Sequence, residues 1–413
     1  MDFILQKSVY DRVHTDITTT KGKGSISAQL KYYYIIHRLN HSKVFKKDEY
    51  LNGVPMNAKI LSKLFGKGSV VKKVLSDLEQ MKFIKKVKES SFKQFSAKYK
   101  LHDEIANERV FQITFDKTDS ALVHKLEERN SDIKTCFEGQ LSILTKSVRV
   151  NELGKSYLSI KYGFLPLLEK RITVDASDFG LISILNGNFF SQRPDIKSRV
   201  YTNLTSLARI HRKFIEIDGK PMLMTDISNS QILLTVPLLH KFWQTKSKIG
   251  LLDLPDNVNA FQKLAETGKF YEYIANSVGV NFSNDDERGD FKKQVFREIW
   301  FSKNSNGLTA IKKVFKREFP TIFMIIWELK KHKYNEFAIK LQQFEASILV
   351  DEVWKKMYKL GKTVLTLHDA IICNNTADLD LAEKLISDEM IKYRIEPKFK
   401  REHEEEVILL AAA

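Results

Sequence analysis

The sequence predicts a multidomain α+β protein, and three observations carry that prediction. Near the N-terminus, two short amphipathic helical segments are followed by two alternating, strand-like segments. The middle of the chain carries helical periodicity and little strand signal. From about residue 219, β-rich runs flank long helical stretches. The 413 residues suffice for two or three domains. The expected divisions are 1–110, 111–218 and 219–410.

Within the first division, residues 29–39 have helix-compatible apolar spacing. Asn57 opens Ala-Lys-Ile-Leu-Ser-Lys-Leu-Phe, a short amphipathic helix that Gly66-Lys-Gly interrupts. Ser69 opens a second helix with Val70, Val71, Val74, Leu75 and Leu78 on one face. Residues 84–88 and 95–101 then alternate as strands do. Helix, glycine-containing turn, helix and two-stranded wing: this order resembles a winged helix-turn-helix. The resemblance implies duplex DNA binding. Lys67, Lys72 and Lys73 would sit at the start of the recognition helix, and Lys85, Lys86, Lys88 and Lys93 in the wing, as phosphate contacts. A small domain with a solvated lysine face, or a protein–protein module, has the same pattern.

The second division suits helices at 120–129, around 181–185 and through 198–214. Across the whole chain, 67 Lys and Arg against 51 Asp and Glu leave a formal net charge of +16, which favours a polyanionic partner. No apolar run reaches the length of a membrane span, and the first residues lack the layout of a signal peptide. Two cysteines, Cys136 and Cys373, make neither a disulfide framework nor a zinc-ligand spacing. The expectation is a cytoplasmic protein with no membrane partner.

Three segments of the third division carry candidate chemistry. Pro221-Met-Leu-Met-Thr is a short strand, with Asp226 at its end and Ile-Ser-Asn-Ser-Gln231 after it. Arg288, Lys292, Phe296 and Trp300 recur every four residues, one slowly drifting stripe on a helix. Thr363-Val-Leu-Thr-Leu, His368-Asp369 and Ala370-Ile-Ile-Cys read as strand, turn and strand. Two aspartates on adjacent strands are a minimal cradle for hard divalent cations, and two such cations are what phosphodiester synthesis uses. Each segment also has an ordinary reading: an N-cap for Asp226, a turn residue for Asp369, and an amphipathic helix with Phe296 and Trp300 in the core.

Taken in order, the three segments resemble the motifs of family A DNA polymerases, the bacterial DNA polymerase I class, which is related to single-subunit RNA polymerases. Segments around Phe319-Pro320 and Gln343 add to the resemblance, which covers residues 199–395. It implies a right-hand palm built on an antiparallel sheet, helical fingers, and a thumb-like region over 111–218. The implied activity is template-directed nucleotidyl transfer with two Mg²⁺ or Mn²⁺ ions per site. Asp226, Asp369 and the Ile227 carbonyl would hold the metals. Arg288 and Lys292 would grip the nucleoside triphosphate, with Lys292 or its neighbour Lys293 as general acid. Phe296, Trp300 and Gln231 would shape the nucleotide pocket. His368, Gln343, Arg209 and Arg212 would touch the DNA primer–template.

The sequence departs from the family at Gln231, Trp300, Phe301 and Ala370, where the family has Glu, Tyr, Gly and Glu. Sugar choice therefore stays open, so RNA or primer synthesis is an alternative to DNA synthesis. A non-catalytic DNA-binding initiator is a third. The N-terminal region has neither the room nor the pattern of ordered acids for a fused exonuclease. Replication of a plasmid, phage or mobile element is the setting suggested by analogy.

Overall fold

The computed structural model describes residues 2–20, 26–45, 47–89, 96–116, 118–133, 135–163, 174–247 and 255–402. It is a mixed α+β protein with several small antiparallel sheets. Among the described residues, no helix is long and apolar enough to cross a membrane. The chain forms two compact units: Met1–Gln192 with Tyr201–Gly219, and Arg193–Val200 with Lys220–Ala413. The expected division at 110/111 lies inside the first unit.

In the first unit, β1 (Asp2–Gln6) leads directly into helices α1 (Lys7–Thr20) and α2 (Ile26–Phe45). A short strand β2 (Val54–Pro55) precedes α3 (Ala58–Phe65) and α4 (Gly68–Gln80). Asn57 caps α3 by accepting the Ile60 N–H at 3.1 Å. Gly66 ends the helix at φ +97°, a conformation that side chains other than glycine avoid. The apolar stripe bears out its sequence reading. Val71, Val74 and Leu78 are buried, and Val70 and Leu75 pack half-buried at the edge of the same core.

Strands β3 (Ile84–Lys88) and β4 (Lys98–Leu101) pair antiparallel, and β2 joins on the far side of β4. Lys93 and Phe95 lie outside the described residues. A fifth strand, β5 (Val110–Thr114), returns to β1 with Leu5 opposite Phe111. Helix α5 (Ala121–Ile133) adds Leu122, Val123 and Leu126 to the core. Further along the unit, β6 (Val148–Val150) pairs with β7 (Ile215–Ile217), and α6 (Glu152–Tyr162) lies between them in sequence. The helix expected through 198–214 is not continuous. Tyr201–Thr202 is strand, Asn203–Ser206 a single turn, and Arg209–Phe214 a 3₁₀ helix. Thr202 and Thr205 form a capping box that starts the chain afresh there.

The second unit is built on a four-stranded antiparallel sheet. Strands β8 (Leu223–Ile227), β9 (Leu365–Leu367), β10 (Ala370–Cys373) and β11 (Phe399–Glu402) take the order β9-β10-β8-β11. After β8, a single turn at Ser230–Leu233 leads into α7 (Thr235–Ser247), with a break at Leu234. Then follow α8 (Asp256–Glu266), α9 (Phe270–Ser277), α10 (Asp285–Val295), α11 (Ala310–Glu318) and α12 (Pro320–Leu329). Phe261, Phe270, Phe315 and Phe319 interlock edge-to-face at their centre.

Helix α13 (Glu336–Ala346) runs on through Ser347–Trp354 and Lys355–Lys359 to the hairpin. Helix α14 (Thr376–Ile391) buries Leu379, Ala382, Ile386 and Met390. Its Glu383 accepts hydrogen bonds from Thr225 at 2.7 Å and Arg401 at 2.8 Å, residues opposite each other in the sheet. Alternation along β8 therefore turns Asp226 to the other face.

Candidate active site

Asp226 is the one residue of β8 that is not buried, and it lies opposite Ala370 on one side and Lys400 on the other. Asp369 occupies the tight turn between β9 and β10, and its carbonyl accepts the Ile227 N–H at 3.4 Å. The sheet thus brings together two acids 143 positions apart in the chain. Two residues near them sit in left-handed backbone: His368 at φ +55° in the hairpin, and Asn229 at φ +55° just after Asp226. Non-glycine residues hold that conformation when the surroundings enforce it, and such positions cluster at functional sites.

The electrostatics record an excess of negative charge. Burial, then the Asp369 and Glu402 carboxylates, push the Asp226 carboxyl up to about 6, against the opposing pull of Lys292 and Lys400. Two carboxylates and a neighbouring backbone carbonyl are the oxygen donors that Mg²⁺ or Mn²⁺ takes alongside phosphate and water oxygens. The residues fit such ions, and Asp226, Asp369 and Ile227 are the ones that would hold them. Among the described residues, no group of three or more His, Cys, Asp or Glu is placed as a self-sufficient metal cage.

The four-spaced helical stripe divides into two parts. Arg288 and Lys292 are half-exposed on α10. Arg288 pairs with Glu272 at 2.6 Å, and the Lys292 ammonium lies 5.5 Å from the centre of the Tyr271 ring. Lys293 is exposed and pairs with Asp290; of these two neighbours it is Lys292 whose charge reaches Asp226. From Phe296 to Trp300 the helix widens to π, with Phe301 N–H bonding the Phe296 carbonyl at 3.0 Å.

Phe296 stays half-buried. Trp300 is fully buried, T-shaped on Phe270, with its indole N–H on the Thr235 hydroxyl at 3.2 Å. Its expected place in the nucleotide pocket is corrected to a place in the core. An indole with its N–H satisfied inside an aromatic cluster is stable there and presents no open face.

Sequence reading missed several groups. Glu345 on α13 has a fully buried side chain. It pairs with Arg199 at 2.5 Å, accepts the Gln231 amide N–H at 2.6 Å, and meets the Ser230 hydroxyl at 3.4 Å. Burial raises its carboxyl to about 7, Arg199 opposes that rise, and Asp369 adds to it. A signal for it existed: Phe337, Leu341 and Glu345 recur every four residues, and all are buried.

Tyr271 on α9 is likewise fully buried, and no hydrogen-bond partner meets its hydroxyl. Burial above all, with the charges of Asp369 and Glu272 adding to it, drives its phenol well above the ordinary value, while Arg288 acts the other way.

Arg199 lies in the segment Arg193–Val200 of this unit, whose Arg193 forks onto Asp351 with two 2.8 Å bonds. Gln343 is half-buried on α13 and His368 half-buried in the hairpin, whereas Arg209 and Arg212 belong to the first unit.

In the first unit, Lys67 and Lys72 are exposed at the start of α4. Lys73 pairs with Asp77 at 3.0 Å, Lys85 with Asp103 at 2.6 Å, and Lys86 with Glu89 at 3.4 Å. These three are surface ion pairs, weak enough for phosphate to displace. No protein-family model matches the chain, and no curated protein matches its sequence.

Proposed function

We propose that the second unit is a family A-like palm with helical fingers, performing template-directed addition of nucleotides to a 3′-hydroxyl. The first unit would carry a winged helix that binds duplex DNA. The observation that carries this reading is the pairing of β8 and β10. It sets Asp226 beside Asp369, with Lys292 near enough to act on Asp226.

Bound divalent cations would lower the pKa of the attacking hydroxyl and neutralise the departing pyrophosphate. The chain's own residues would do the rest. The 3′-hydroxyl gives up its proton to solvent water, its oxygen bonds to the α-phosphorus, and the bond from that phosphorus to the bridging oxygen breaks. Lys292 gives a proton to the pyrophosphate. Arg288 exchanges Glu272 for phosphate oxygens. Phe296 offers its half-exposed ring to the nucleotide.

The ribonucleotide reading gains support from one contact. Glu345 accepts from the amide nitrogen of Gln231, so the amide oxygen is the end left to meet a sugar. An acceptor there suits a 2′-hydroxyl.

The test is extension of a labelled primer–template with deoxy- or ribonucleotides and Mg²⁺ or Mn²⁺. Template-matched product that falls at least about a thousandfold in both Asp226→Ala and Asp369→Ala is the expected result. Absence of product from folded, DNA-binding wild type rejects the enzyme and leaves a non-catalytic initiator. Which sugar the wild type prefers decides between DNA and RNA synthesis.

A further inference from the structure

A second concave surface of the C-terminal unit lies apart from the residues assigned above. It is a cleft of about 550 Å³ lined by Pro237, Leu238, His240 and Lys241 of α7, Phe344 of α13, and Lys392, Tyr393 and Arg394 just beyond α14. The volume is within the range of ligand sites.

Three of the eight lining residues, Lys241, Lys392 and Arg394, are cationic and none is acidic. Tyr393 is 40% exposed and stands perpendicular to Phe344, with ring centres 4.8 Å apart. The Phe344 contact fixes the tyrosine ring while leaving it partly exposed. Arg394 sits at φ +58°, and its carbonyl accepts from Gln262 at 2.8 Å, so the backbone that presents the guanidinium is pinned. Lys392 is tethered to Glu389 at 2.6 Å, a surface pair that an anion can displace.

His240 is the second, independent sign of a ligand. It is 7% exposed, lines the cleft, and its Nε2 is buried without a hydrogen-bond partner. Burial, and then Arg394, hold its pKa below the ordinary value. Buried polar atoms left unpaired are uncommon in folded proteins.

Cations supply phosphate contacts, and an exposed aromatic ring supplies stacking. We infer that this cleft binds a nucleotide unit: a base on Tyr393, with its phosphates on Arg394, Lys392 and Lys241. The chain's net charge of +16 suits a polyanion, and stacking with a cationic groove is how single strands are held. The site does not require Asp226 and Asp369 to be catalytic. It can be filled by a segment of single-stranded nucleic acid or by a free nucleotide.

The experiment is fluorescence anisotropy of a labelled twelve-residue oligothymidine with the full-length chain. Wild type is compared with Tyr393→Ala and Arg394→Ala, and unlabelled nucleoside triphosphate is the competitor. Both side chains are exposed, and tryptophan fluorescence through thermal unfolding verifies that each variant is folded. Loss of roughly tenfold in strand affinity for each variant is expected. For Arg394→Ala, the slope of log affinity against log salt should also fall by about 0.7. Triphosphate that competes at micromolar levels, with its own binding weakened by both variants, assigns the site to the free nucleotide. Strand and nucleotide affinities both equal to wild type overturn the inference. Binding is read without synthesis, so a failed extension assay and a failed cleft are separate results.

Discussion

Each unit buries a carboxylate, and the two are treated oppositely. In the first unit Asp178 has 1% of its side chain exposed. It accepts from Lys161 at 2.6 Å, Tyr162 at 2.7 Å and Tyr157 at 3.1 Å, and it pairs with His211 at 3.1 Å. Burial alone would raise its pKa, but the bonds from His211, Lys161 and Tyr162 more than offset this and hold it well below the usual range. Glu345 in the second unit accepts one hydrogen bond from Arg199 and one from Gln231, both at 2.6 Å, yet stays raised to about 7, partly through Asp369. A satisfied buried acid reports a structural joint. An acid kept uncomfortable beside another acid reports a site whose charge balance awaits a ligand.

The largest expected contrast comes from amide substitution. Asp178→Asn removes a charge that four donors are arranged around, and it should destabilise the first unit by about 3–5 kcal/mol. Glu345→Gln relieves a disfavoured charge while weakening the Arg199 pair, and these effects oppose each other. The net change should stay under about 1 kcal/mol at neutral pH. All four tryptophans lie in the second unit, so their fluorescence follows that unit. Hydrogen exchange of residues 152–162 follows the first. Equal losses for the two substitutions would break the comparison.

The pH dependence should differ in sign. Asp178 is lowered in the folded state. Its stabilising contribution is therefore complete above the ordinary carboxylate pKa and fades as pH drops below it. Glu345 is raised from 4.5 to about 7, so its folded form holds a proton that the unfolded chain releases. That contribution is complete below 4.5 and is lost as pH climbs to about 7. Asp226, raised to about 6, acts in the same direction. Glu345→Gln should flatten the decline of the second unit between pH 4.5 and 7 by a magnitude on the order of 1–3 kcal/mol. An unchanged slope would place the tension elsewhere.

Trp300 sharpens the distinction between site and core. Trp300→Phe should remove about 1–2 kcal/mol from the second unit, through the lost Thr235 bond and lost volume. The affinity for nucleotide should hold. A shifted nucleotide affinity with unaltered stability would return the residue to the pocket.

Local signals were legible, and distant partnerships were not. Asn57, Gly66 and the valines of α4 announce their helices within a few residues. The runs before Asp226 and around Asp369 announce β8, β9 and β10. Nothing in Asp2–Gln6 names Val110–Thr114 as its partner, because register is set by the fold and not by either strand. Phe-Lys-Arg-Glu at 399–402 alternates weakly, so the strand that flanks Asp226 escaped notice, and Lys400 and Glu402 with it. Trp300 was read at helical spacing, but spacing cannot tell which side of a stripe faces the core. The π turn that carries it also has no simple residue signature.

The same contrast between committed and available charge extends to the surface of α4, where effects should be smallest. Lys72 is exposed, while its neighbour Lys73 is 3.0 Å from Asp77, one turn on. If this helix lies against duplex DNA, each lysine on a phosphate releases a counterion. Lys72→Ala should then lower the slope of log affinity against log salt by about 0.9. Lys73 must first leave Asp77, a pair worth no more than about 0.5 kcal/mol. Lys73→Ala should therefore reduce affinity less than Lys72→Ala, and Asp77→Asn should raise it. Identical salt slopes in wild type and both lysine variants would take α4 off the DNA and leave its lysines as a solvated face.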